Sequence, residues 1–145
     1  MVISCLLALL LAAAPTAAQA QHVQVIVSAD SPILELSEQD VRQIFTARRL
    51  RLGDQRLTVA VNPGDADVYE RLARTLTGRS ARAFGLLWLQ AGFQQAAPEP
   101  KVVEDDADMI RYVLSTPGAV GYVSPADLPD GVRVVHRLLL DQAIR

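Results

Sequence analysis

An α/β fold, with a mixed sheet of about five strands flanked by about four helices, is the class this sequence predicts. Three observations carry that reading. Val23 to Ser28 is a β-branched run closed by the turn residues Asp30-Ser31-Pro32. Capped segments with helical apolar spacing then alternate with short apolar runs. Late in the chain, Thr116-Pro117-Gly118 stops a helix and feeds the small-residue strand Ala119-Val120-Gly121-Tyr122-Val123. Pro117 cannot continue a helix, Gly118 can reverse the chain, and Gly121 marks a place where another backbone or a ligand could come close.

The elements follow in order. Ser37-Glu38-Gln39-Asp40 reads as a helix start with Ser37 as N-cap, and Val41, Ile44 and Phe45 form its core stripe. Arg48 to Arg56 is a polar connector turning at Gly53-Asp54. Leu57 to Val61 is the second strand, and Asn62-Pro63-Gly64-Asp65 is a turn. A helix from Ala66 carries Val68, Leu72 and Leu76 on one face and ends at Gly78. Ser80 caps the next helix, where Phe84, Leu87, Trp88 and Ala91 share a face. Ala96 to Pro100 is a linker, and Lys101 to Val103 is a short strand. Asp105-Asp106 opens the last helix, with Met109, Ile110, Val113 and Leu114 inward. Ala119 to Val123 and Val132 to His136 complete the sheet.

The first 20 residues form a separate object. Leu6 to Ala14 is an uninterrupted apolar run too short to span a bilayer, and Ala18-Gln19-Ala20 is a small-x-small tripeptide. Residues 1–20 therefore read as a signal peptide cleaved before Gln21, and residues 21–145 as one domain of the periplasm. The n-region lacks Lys and Arg. Cys5 is the single cysteine and leaves with the leader, so the mature chain has neither a disulfide framework nor a thiolate metal site. The net charge of −2 argues against nucleic-acid binding.

Several segments, in order, resemble one family. They are Leu36-Ser37-Glu38 leading to Val41-Arg42-Gln43-Ile44-Phe45, the strand and turn Val59 to Asp65, Thr77-Gly78-Arg79-Ser80, the Trp88 helix, and Pro117 to Val123. Together they resemble the substrate-binding protein of phosphate ABC transporters, reduced to one lobe of the type 2 periplasmic-binding-protein fold. The resemblance covers nearly all of Val23 to Val123. It implies a binding protein for phosphate or another small anion, related to transport. The departures are equally specific. The family's Gly-Lys and Trp after the first helix are replaced by Thr46-Ala47-Arg48-Arg49, and no Gly-rich phosphate loop precedes Val23.

Two loops are ligand candidates. Asn62-Pro63-Gly64-Asp65-Ala66-Asp67 joins a strand to a helix N-terminus, where free N–H groups and the helix dipole favour an anion. The resemblance sets an Arg-x-Asp-Gly-Ser-Gly-Thr loop here. Only Gly64 carries over, Asp65 and Asp67 replace the hydroxyls, and Val61 stands roughly where the Arg would be. A capping role for Asp65 or Asp67 outweighs a phosphate role. The second candidate, Ser28-Ala29-Asp30-Ser31, lies at the C-terminal end of the first strand, with an ordinary turn held by Asp30 as the competing reading.

Arg48, Arg49, Arg51 and Arg56 form a positive stretch that reads as a solvated loop or as an attractor of anions and lipid head groups. His22 and His136 have no Cys, Asp or Glu at metal spacing, no Ser sits in a nucleophile elbow, and no motif requires a cofactor. Trp88 and Phe84 read as core. Two functions stay open: an exported solute-binding protein for a small anion, or an accessory or sensory interaction protein of the cell envelope that has lost its ligand site. Neither is an enzyme. A membrane or envelope protein is the partner in the second case, and a second copy could rebuild a cleft.

Overall fold

The structure is a computed structural model that describes residues 21–94 and 97–141. The expected leader, residues 1–20, lies outside the described residues, as does Ala96 at the start of the expected linker. The chain runs through β1 (His22–Ser28), α1 (Glu38–Phe45), β2 (Arg51–Leu52), β3 (Gln55–Arg56), β4 (Thr58–Val61), α2 (Ala66–Thr77), α3 (Ala81–Phe93), β5 (Lys101–Val102), α4 (Asp106–Ser115), β6 (Ala119–Val123) and β7 (Val132–Leu139).

The helices begin where side-chain oxygens can accept the free N–H groups of a first turn. Ser37 and Asp40 form a reciprocal capping box, with Asp40 N–H on Ser37 Oγ at 3.1 Å and Ser37 N–H on Asp40 Oδ2 at 3.0 Å. Asp65, Ser80 and Asp105 cap α2, α3 and α4 in the same manner. Gly78 ends α2 in the left-handed region at φ 71°. After α1 the same bend is made by Ala47, at φ 62°. Its Cβ makes that conformation costlier than it is for glycine.

The main sheet has the order β5-β4-β6-β1-β7. β4 runs parallel to β5 and β6, whereas β1 runs antiparallel to β6 and β7. The sheet is therefore mixed and five-stranded, with four helices, as the alternation of elements predicts. All five residues of β6 are buried, as expected of a central strand covered on both faces. The core joins Val25, Ile26 and Tyr122 of the sheet to Ile44, Phe45, Leu72, Phe84, Met109 and Val113 of the helices.

Four local expectations change. The polar connector contains a small hairpin, β2 with β3, pairing Arg51 with Arg56 around Gly53. The last strand continues to Leu139. Leu114 is exposed, because α4 turns only Met109 and Val113 fully into the core. At Gly121 the close approach comes from α4: a Cβ there would collide with the Met109 side chain, so the missing side chain serves helix–sheet packing.

Trp88 is core, as its spacing predicts. Its ring is buried, and Nε1–H donates to the Phe45 carbonyl at 3.0 Å. That bond completes the C-terminus of α1. The other late carbonyls of this helix accept from Thr46, Ala47, Arg48 and Arg49 N–H groups, so its last turn leaves no acceptor unpaired.

Candidate functional site

The loop after β4 is built to satisfy itself. Asn62 is buried, and its N–H donates to Tyr122 Oη at 2.9 Å. Its Oδ1 accepts the Gly64 N–H at 3.1 Å. Gly64 lies against the Glu104 carbonyl so closely that a Cβ has no room. Asp65 Oδ1 accepts the Val68 N–H at 3.3 Å, which is the capping role expected of it. Asp67 points outward, its carboxylate 3.8 Å from Arg71. The N–H groups of Asn62, Gly64 and Val68 are thus already bonded within the protein.

Charge around this loop is negative. β4 and β6 are parallel neighbours, so the N-terminus of α4, which precedes β6, lies beside that of α2, which follows β4. Asp106 Oδ2 accepts the Ser124 N–H at 3.2 Å. Burial raises the Asp106 carboxyl above the usual carboxylate range, and the charges of Asp65 and Asp105 add to that effect. The Ser124 N–H and the Asn62 side chain oppose it. Burial also raises the Tyr122 hydroxyl. An incoming anion meets carboxylates here. At about 4 Å and an effective dielectric of about 20, each like-charge pair costs about 4 kcal/mol. That exceeds a charge-assisted hydrogen bond of about 1.5–3 kcal/mol. Among the described residues, no group of three or more His, Cys, Asp or Glu is placed to hold a metal ion.

The second candidate loop lies at the other end of the sheet. β1 is antiparallel to β6, so its last residues sit level with the start of β6, whereas Asn62 follows the end of β4. Ser28, Asp30 and Ser31 are therefore not brought together with Asn62, Gly64, Asp65 and Asp67. Their loop also closes on itself. Ser28 Oγ accepts the Asp30 N–H at 3.2 Å and Ser31 Oγ the Ile33 N–H at 3.1 Å, so the hydroxyls hold this turn, not the Asp30 carboxylate. Arg133 of β7 clamps it, with Nη1 donating to the Ser31 and Ile33 carbonyls and Nη2 to Ala29, each at 2.8 Å. A cavity of about 170 Å³ remains beside Ser28, Asp30 and Ser31.

The arginine stretch is divided by the fold. Arg49 pairs with Asp40 at 3.1 Å, and Arg51 and Arg56 face each other in the hairpin. Arg48 is turned the other way by the bend at Ala47. It lines a cavity of about 440 Å³ between α1, the α2–α3 turn and α3, together with Arg42 and Arg79.

Sequence reasoning missed Tyr122, Asp106 and Ser124 at the first loop, Arg133 at the second, and Arg79 beside Arg48. Asp105-Asp106 was visible as a helix start. Its neighbourhood to Asp65 was not, because that depends on the strand order.

No protein-family model matches the chain, and no curated protein matches it. Solved structures do resemble it. One is an ABC-type phosphate transport receptor from Vibrio cholerae, with a TM-score of 0.60 and 16% identity over 79% of this chain and 46% of that one. Another, from Clostridium perfringens, is assigned as a phosphate ABC transporter substrate-binding protein and holds bound phosphate; its TM-score is 0.61, with 12% identity over 79% of this chain and 45% of that one. The chain spans less than half the length of either. It has the α/β fold of a single lobe of these phosphate-transport proteins.

Proposed function

We propose that this chain is an exported, non-catalytic lobe related to phosphate-transporter substrate-binding proteins, serving as an accessory or sensory interaction protein of the cell envelope. Export follows from residues 1–20 read as a cleaved leader, with residues 21–145 as the working domain. The single observation that carries the reading is the closed loop after β4. The N–H groups of Asn62, Gly64 and Val68 are bonded internally, and the Asp106 carboxylate lies beside Asn62 within reach of the charges of Asp65 and Asp105. A phosphate receptor needs converging donors at this place, and here three N–H groups are taken up internally with carboxylates beside them. The outer face of α3 adds support. Leu86, Leu89 and Phe93 share one side of that helix and are exposed, a surface suited to a protein partner.

A second reading, binding of a small anion, is favoured by one feature: the arginine-lined cavity lies away from the acidic loop. One experiment tests the accessory reading against a phosphate receptor at the loop after β4. The protein starting at Gln21 is titrated with phosphate while its backbone amides and arginine Nε–H groups are followed by NMR. Gly64 to Val68 amides should stay in place. Saturating shifts there at micromolar phosphate would overturn the accessory reading and restore a receptor at this loop.

A further inference from the structure

We propose that the cavity between α1, the α2–α3 turn and α3 is a binding site for a small organic dianion. It is distinct from the strand-to-helix loops and does not depend on their being closed. Arg42, Arg48 and Arg79 line it, and no carboxylate among the described residues does. Arg42 is held in place: Nη1 donates to the Thr75 and Leu76 carbonyls at 3.0 Å each, and Nη2 pairs with Glu38 at 3.3 Å. Arg48 and Arg79 pair with no carboxylate among the described residues. In a chain of net charge −2, two unpaired guanidiniums beside a third are a local concentration of positive charge. They match a ligand of charge −2, because each planar fork can hold two oxygens of one oxyanion group.

Size and lining set the class. The volume of about 440 Å³ falls within the usual range for small-molecule sites, about 300–1,000 Å³. It is more than one inorganic oxyanion fills. Leu76, Ala83 and Leu87 supply an apolar wall. The fitting ligand therefore carries charge at one side and a carbon skeleton at the other. A phosphate monoester and a dicarboxylate share this chemistry. The backbone supports the arrangement: Ala47 adopts φ 62°, and the Arg48 N–H returns to the Gln43 carbonyl at 2.9 Å. A strained non-glycine bend is a cost that clusters at functional places, and here it brings Arg48 to the cavity.

The test uses residues 21–145 and titrates glycerol 3-phosphate, succinate and uncharged glycerol by calorimetry and NMR. At least one dianion should saturate with a dissociation constant below about 1 mM and shift Arg48 and Arg79 Nε–H, while glycerol does nothing. Whichever dianion binds tighter names the source. Arg48→Ala and Arg79→Ala should each weaken it about tenfold or more, the loss of one charge-assisted contact. Both side chains are exposed, so the variants should melt normally. Ala83→Glu, which keeps every arginine but adds a carboxylate to the wall, should abolish binding. Asp65→Asn, at the loop of the proposed accessory reading, should leave it unchanged. Dissociation constants within twofold in both arginine variants, or no response to either dianion, would overturn the site. So would binding seen only with vesicles containing about 30% phosphatidylglycerol, which would make the arginines a membrane-facing patch.

Discussion

Trp88 offers a prediction in which two contributions can be separated. Its indole is buried between α3 and the core, and Nε1–H reaches the Phe45 carbonyl at 3.0 Å. Trp88→Phe keeps an aromatic ring but leaves that carbonyl, the last of α1, without its donor. An unpaired buried acceptor costs about 1–3 kcal/mol. Trp88→Ala adds a cavity and should cost about 3–5 kcal/mol. With a urea m-value of about 2 kcal/mol/M, the midpoint should fall about 0.5–1.5 M for the first variant and about 1.5–2.5 M for the second. Trp88 is the one tryptophan of the chain, so unfolding must be followed by far-UV circular dichroism instead of intrinsic fluorescence. A Trp88→Phe midpoint within about 0.25 M of the parent, at unchanged m, would refute the capping role. An unshifted Trp88→Ala midpoint would refute the core role of the ring.

Gly64→Ala should cost about 1–3 kcal/mol or more, since its Cβ meets the backbone carbonyl of Glu104; Gly121→Ala, which meets the flexible Met109 side chain, should cost less, and paired urea titrations compare them. Ala47→Gly relieves a left-handed alanine worth about 1–2 kcal/mol but loosens the unfolded chain by about 0.4–1 kcal/mol, so a net gain of about 0–1.6 kcal/mol is expected in thermal melts. Asp106 has its pKa raised in the fold, chiefly by burial, so the folded state holds the proton more tightly and stability falls as pH rises from 3.8 through the raised value. Asp106→Asn keeps an acceptor for the Ser124 N–H and should flatten that part of the melting-temperature profile. Asp40 acts oppositely: the Ser37 hydrogen bonds and then Arg49 lower its pKa, so its stabilisation is present above pH 3.8 and is lost as pH falls through the lowered value. Asp40→Asn should weaken this acid dependence.

What the sequence determined by itself is local. Ser37 and Ser80 were legible as caps, Asp65 or Asp67 as the cap of α2 and Asp105-Asp106 as a helix start, because an N-cap needs only its own side chain and the next three residues. The buried stripes of α1 and α2, the strand β6 and the turn at Gly118 follow from spacing and backbone freedom within a few residues. The capping of α2 by Asp65 was readable for the same reason, whereas the closure of the loop after β4 needs the Tyr122 hydroxyl and the Glu104 carbonyl, which only the tertiary structure brings there. Tertiary structure decided what lies beside what. The two candidate loops fall at opposite ends of the sheet because β1 is antiparallel to β6, and strand direction depends on hydrogen-bonded partners far along the chain. Asp106 joins Asp65 only because β4 and β6 pair in parallel. Arg48 meets Arg79 only because α1 and the α2–α3 turn pack around one cavity. Caps and periodicities are set by neighbours in sequence, whereas charge clusters and cavities are set by which faces the core requires to be buried together.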